Sequence, residues 1–146
     1  MRGNARVSTA PCSCAAPEAG TSFFSLFGGD MVNEDVVRKM FMAIDGCRFE
    51  ALKELMHADA VYERPGYSAF SGIDEILDFY QNARVIRDGN HAIVDFVCGG
   101  DSAMACGHFL GRKKDDTQVD IHYAEIYRFK DDKIAYRRSY FYTPAV

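Results

Sequence analysis

The chain has 146 residues, 48% of them hydrophobic and 26% charged, which fits one globular domain and excludes a disordered, collagen-like or coiled-coil protein. A formal net charge of −4 argues against nucleic acid as the main partner, because phosphate binding needs a basic surface. No stretch approaches the roughly 18 apolar residues of a membrane span, so no membrane partner is expected.

Residues 1–22 are rich in Ala, Ser, Gly and Pro and carry neither a helical period nor a signal-length apolar run. They read as a disordered tail, and the expected organisation is a tail over 1–30 and one domain over 31–146. The five cysteines, Cys12, Cys14, Cys47, Cys98 and Cys106, are odd in number and show no zinc-ligand spacing. A reduced, cytoplasmic protein without a metal site is expected.

Asn33, followed by Glu34 and Asp35, reads as a helix N-cap. Val37, Met40, Phe41 and Ile44 repeat at helical spacing up to Asp45-Gly46. A second helix, at about 48–56, carries Phe49, Leu52, Leu55 and Met56. Asp59-Ala60-Val61-Tyr62-Glu63 reads as a short strand stopped by Pro65-Gly66. Ser71 and Asp74 open a third helix at about 72–83, with Ile73, Ile76, Leu77 and Tyr80 on one face. The remainder reads as four strands, 91–98, 102–113, 117–130 and 133–143. Their turns are Gly99-Gly100-Asp101, Lys114-Asp115-Asp116 and Asp131-Asp132. The predicted class is α+β: a cone-shaped, strongly curved antiparallel sheet with three N-terminal helices over its concave face.

This order, with Ile44-Asp45-Gly46, Asp59-Ala60-Val61-Tyr62-Glu63, Gly72-Ile73-Asp74-Glu75-Ile76 and Tyr127-Arg128-Phe129 before Lys133-Ile134, resembles the nuclear transport factor 2-like superfamily. Within it the chain is similar to SnoaL-like polyketide cyclases and ketosteroid isomerases, from about Asn33 to Thr143. Matching the strand through Arg128-Phe129, the resemblance puts Glu125 where ketosteroid isomerases hold a neutral, hydrogen-bond-donating acid. It also turns the face of Arg137 inward, beside Glu125, either as part of the site or as a plain buried salt bridge. The isomerases carry their general-base Asp where this chain has Arg64, and their first-helix Tyr falls near Met40. Steroid isomerisation is therefore not expected.

Strand alternation groups Tyr123, Glu125 and Tyr127 on one face, with His122 on the other. Equal spacing through the preceding hairpin, read with the family match, predicts His108 near Glu125. These two are the expected catalytic pair, since imidazole titrates near neutral pH and suits proton transfer. Arg64, Tyr62, Tyr123, Tyr127, Arg137 and Tyr80 are the expected substrate-binding residues. His91 follows Asn90 at a predicted strand start and reads as a strand-end residue. The resemblance implies a cofactor-independent acid–base enzyme of the cyclase or isomerase type. Its substrate would be a small, largely apolar biosynthetic intermediate, such as a polyketide or terpenoid. Isomerisation, dehydration, aldol closure and epoxide opening all suit such a pair. The alternative is a non-catalytic binding or dimerisation module on the same fold. Tyr136, Tyr140 and Tyr142 mark the outer sheet face as the expected homodimer interface.

Overall fold

The computed structural model describes residues 24–143. Helix α1 spans Phe24–Asp45, and a 3-10 turn at Phe49–Ala51 leads into the one-turn α2, Leu52–Leu55. Strands β1 (Met56–Glu63) and β2 (Phe70–Ser71) precede α3 (Ile73–Asp78), which continues as a π-helical turn over Phe79–Ala83. Four long strands follow: β3 (Ile86–Gly99), β4 (Ser102–Lys113), β5 (Gln118–Lys130) and β6 (Lys133–Phe141). They form one six-stranded sheet in the order β2-β1-β6-β5-β4-β3, open at both edges. This is the α+β architecture that the sequence predicts. The sheet is nonetheless mixed, because β1 returns alongside β6 in parallel.

The core lies between the helices and the concave face. α1 turns Val37, Met40, Phe41 and Ile44 inward, and α3 contributes Ile76 and Leu77. From the sheet come Ala103, Ala105 and Phe109 of β4, and Val119, Ile121, Tyr123 and Tyr127 of β5. These positions alternate along each strand, as one buried face requires. The π turn places both Phe79 and Tyr80 inside, at 2% and 5% exposure. A regular helix would rotate successive residues farther apart around its axis.

Two boundaries depart from the sequence reading. Helix α1 continues upstream through Asn33 and across the expected domain boundary at residue 30. Asn33 is not a cap: it is buried, and its side-chain Nδ2 donates to the Gly100 carbonyl at 3.1 Å. Strand β3 begins at Ile86, so Gly89-Asn90 lies within the strand and is not a loop. Gly89 faces Gly111 across the ladder, and the ring of Phe109 occupies the space a Cβ at Gly89 would need, 2.3 Å away. A glycine inside a strand here marks close approach of a side chain, not a turn. The predicted tail, residues 1–22, lies outside the described residues. No helix among the described residues is long and apolar enough to cross a membrane.

Candidate active site

Strand β5 presents Tyr123, Glu125 and Tyr127 to the interior. Across the β5–β6 ladder Glu125 pairs with Ser139, and Tyr127 pairs with Arg137. The inward side chains around Glu125 form a closed polar cluster. Glu125 Oε1 accepts from Arg137 Nη2 at 2.6 Å and from Ser139 Oγ at 2.6 Å. Oε2 accepts from Arg137 Nε at 2.9 Å and from the Tyr127 hydroxyl. Arg137 Nη1 donates to the Tyr80 hydroxyl oxygen at 2.7 Å. Tyr62 lies 3.1 Å from Ser139 Oγ, and the Tyr62 hydroxyl is the donor because the Ser139 proton is given to Glu125. The Arg137 guanidinium stands over the Tyr62 ring at 4.5 Å.

Burial alone would push the Glu125 carboxyl up. The charge of Arg137, with hydrogen bonds from Arg137, Ser139 and Tyr127, outweighs it and holds the group below the ordinary carboxylate value. Glu125 is therefore ionised, with four donors on its two oxygens. It has no free lone pair for a substrate proton and no proton to give. Burial also raises Tyr80, Tyr123 and Tyr127 above the usual phenol value, so all three stay protonated. Glu125, Arg137 and Tyr127 are 2%, 3% and 0% exposed, which leaves no room for a ligand against the carboxylate. Of the two readings the sequence left open for Arg137, this geometry matches the buried salt bridge.

His108 is not part of this cluster. The β4–β5 register pairs Ala105 with Glu125 and His108 with His122, so both histidines point to the outer face. There His108 Nε2 meets Asp120 Oδ1 at 2.5 Å, and its ring stacks on His122 at 4.6 Å between centroids. The expected His108–Glu125 contact is corrected: the sheet separates them. Arg64 lies just beyond β1, its guanidinium carbon 4.8 Å from the Phe79 ring, 5.3 Å from Tyr67 and 5.5 Å from Phe141. It borders a cavity of about 320 Å³ with Tyr67, Ser139 and Tyr140. Glu63, beside it in sequence, pairs instead with Arg138 and accepts from the Tyr136 hydroxyl at 2.6 Å.

A second inward pair was not anticipated. Asp45, the last residue of α1, takes His91 in a two-point grip. His91 Nδ1 lies 2.5 Å from Asp45 Oδ1, and the His91 backbone N–H donates to Oδ2 at 2.8 Å. Both side chains are 15% exposed. The imidazole stacks on Phe41 at 4.4 Å, with Phe109 at 4.6 Å and Tyr123 edge-on at 5.6 Å. Burial pushes His91 below its ordinary pKa, against the opposing pull of Asp45. The ring is thus neutral at pH 7, with its Nδ1 proton directed at Asp45 and Nε2 left with a lone pair. Asp45 also borders a cavity of about 560 Å³, shared with Gly89, Asn90, Gln118 and Asp120. Phe41 links the two clusters, since the Arg137 guanidinium carbon also lies 5.4 Å from its ring centroid. Two signals for this pair exist in the sequence: Asp45 lies four residues after buried Phe41, and His91 shares a strand face with Ile93. Among the described residues no group of three or more His, Cys, Asp or Glu is placed to hold a metal ion.

The SnoaL-like domain family matches residues 37–137, a span that holds both clusters. The chain belongs to this family. Solved structures share its fold at low identity. A protein of Jannaschia sp. CCS1 described as a SnoaL-like polyketide cyclase superposes with a TM-score of 0.70 at 13% identity, covering 84% of this chain and 92% of that one. An M. tuberculosis LEH-like epoxide hydrolase gives 0.68 at 16%, covering 77% and 84%. TerC, co-crystallised with polyporic acid, gives 0.67 at 17%, covering 75% and 91%. No curated protein matches the sequence. At these identities the likeness is one of fold, and fold alone does not fix the reaction.

Proposed function

We propose that this SnoaL-like protein is a cofactor-independent acid–base enzyme of the cyclase or isomerase type, acting on a small, largely apolar intermediate of the polyketide or terpenoid kind. The observation that carries this reading is the Asp45–His91 pair: a neutral imidazole, oriented by a carboxylate, between aromatic rings. His91 Nε2 takes a proton from a carbon acidified by a neighbouring carbonyl. Asp45 stabilises the imidazolium that forms and keeps the ring oriented. Return of the proton to another carbon gives isomerisation. Its delivery to a departing hydroxyl gives dehydration, and attack of the carbanion on an internal carbonyl, with the proton passing from His91 to the alkoxide that forms, gives ring closure. The rings of Phe41, Phe109 and Tyr123 hold the imidazole in apolar surroundings, and the cavity that Asp45 borders is the side from which a substrate would approach the pair. Polyketide cyclases and epoxide hydrolases on the same fold support the class of chemistry.

The test is incubation in D₂O with a panel of β-dicarbonyl, polyketide-like and epoxide compounds, read by mass spectrometry. Wild type is expected to incorporate deuterium, lose water or close a ring on at least one scaffold, and His91→Phe is expected to do none of these. Equal reaction by both proteins would refute the assignment. A second reading, a non-catalytic binding or dimerisation module, is favoured by the closed, fully satisfied cluster around Glu125. It requires that no compound in the panel turns over while some bind.

A further inference from the structure

One buried charge lies outside both clusters. Arg84, which follows the π turn, is 6% exposed, and its guanidinium carbon lies 5.8 Å from the ring centroids of both Phe49 and Tyr80. Among the described residues no carboxylate pairs with it. The other buried charges, Glu125 and Arg137, neutralise each other. A guanidinium cannot shed its proton to escape burial. Two aromatic faces offset part of its lost hydration, but they do not neutralise it.

Arg84 lines a cavity of about 400 Å³ together with Ala83, Val85, Lys113, Lys114 and Asp115. The backbone fixes this rim: Lys114 N donates to the Val85 carbonyl at 2.9 Å, and Lys113 N to the Thr117 carbonyl at 2.9 Å. The acids nearby are committed elsewhere. Asp115 Oδ1 accepts from the Thr117 backbone N–H at 3.0 Å, and Asp116 Oδ1 accepts from Arg87 Nη1 at 2.5 Å. Three cationic residues thus line one cavity, and the carboxylate among its lining residues accepts from its own hairpin backbone.

We propose that this cavity is a binding subsite for an oxyanion, the carboxylate or phosphate group of a small metabolite, with Arg84 as its buried anchor and Lys113 and Lys114 at its rim. The planar fork of a guanidinium matches two oxygens of either group, and the two ammonium groups draw the anion in. The anchor rests on Tyr80, whose hydroxyl accepts from Arg137, so an occupied subsite abuts the interior cluster through one ring. The subsite shares no residue with the Asp45–His91 pair.

The test uses the full chain, with arginine side chains labelled with ¹⁵N, titrated separately with sodium phosphate and sodium acetate against sodium chloride at equal ionic strength. The Arg84 Nε–H resonance is expected to shift and saturate, and the melting temperature to rise by mass action. Saturation by both anions assigns a general oxyanion site, and saturation by phosphate alone assigns a phosphorylated ligand. The double variant Lys113→Ala/Lys114→Ala alters the hairpin rim and is expected to keep the fold while weakening the anion by about fivefold or more. Arg84→Gln, if folded, is expected to abolish the anion-dependent rise in melting temperature. No saturable response beyond that of chloride up to about 50 mM, or unchanged affinity in the lysine double variant, overturns the proposal.

Discussion

At the scale of single residues, the interior holds two kinds of ionisable pair with different energetics. Glu125–Arg137 is fully buried and fully hydrogen-bonded, so removing one member strands the other. Glu125→Gln is expected to cost roughly 3–5 kcal/mol in chemical denaturation, and Glu125→Gln combined with Arg137→Met markedly less than that. The two pairs also fail at different pH. Both His91 and Glu125 have folded pKa values depressed below their ordinary ones. Each therefore adds stability above its unfolded pKa that is lost as pH falls through the folded one. For His91 the loss begins below about pH 6.5, and for Glu125 below about pH 4.5. Denaturation midpoints measured from pH 8 to 5 should fall in wild type and stay flatter in His91→Phe. The Glu125 cluster was half legible in the sequence, because alternation alone groups Tyr123, Glu125 and Tyr127. The placement of His108 failed on the same rule: a turn centred on Asp115 pairs His108 with His122, and the two share the outer face. His91 was missed because Gly89-Asn90 resembles a turn, and Asp45 because an acid before Gly46 resembles a helix stop.

At the scale of elements, small residues decide where the aromatic rings lie. Gly107 sits beneath Tyr123, and a Cβ there would stand 1.9 Å from the Ala92 carbonyl and 2.6 Å from the Tyr123 hydroxyl. Gly107→Ala is expected to destabilise by about 1–3 kcal/mol or more, read from the denaturation midpoint. Tyr123→Phe in the same chain should not rescue it, because the closer clash is with backbone. The same constraint explains why β3 extends past the predicted start. Gly89 and Gly111 accommodate the Phe109 ring, a reason for glycine that depends on a neighbouring strand. Helix α3 was legible from its apolar spacing, but the π turn was not. Turning both Phe79 and Tyr80 inward follows from packing against Tyr62 and Phe49, partners distant in sequence.

At the scale of the whole molecule, the outer sheet face is more apolar than a solvated face requires. Val94, Val97, Met104, Leu110 and Tyr140 are between 46% and 69% exposed, whereas Tyr136 is partly covered and bonded to Glu63. The proposed homodimer would bury Val97, Met104 and Tyr140, positions on the outward side of three strands. Sedimentation at micromolar concentration is expected to give about twice the monomer mass, and Met104→Glu to shift the chain toward monomer; a monomeric wild type would refute the interface. The meander, the three helical segments and the inward face were legible because periodicity reports burial directly. The parallel β1–β6 pairing was not, since it joins segments from opposite ends of the domain.

The proposed chemistry requires His91 to be a neutral base aimed by Asp45, and histidine NMR of the ¹⁵N-labelled protein across pH measures that without a substrate. The result expected is a proton on Nδ1, a bare Nε2 at pH 7, and a titration below about pH 6.5 that moves still lower in Asp45→Asn, where the carboxylate no longer favours the charged ring. A proton on Nε2 alone at neutral pH, or an imidazole that stays charged above pH ~7, would contradict it and leave Asp45–His91 as a structural contact.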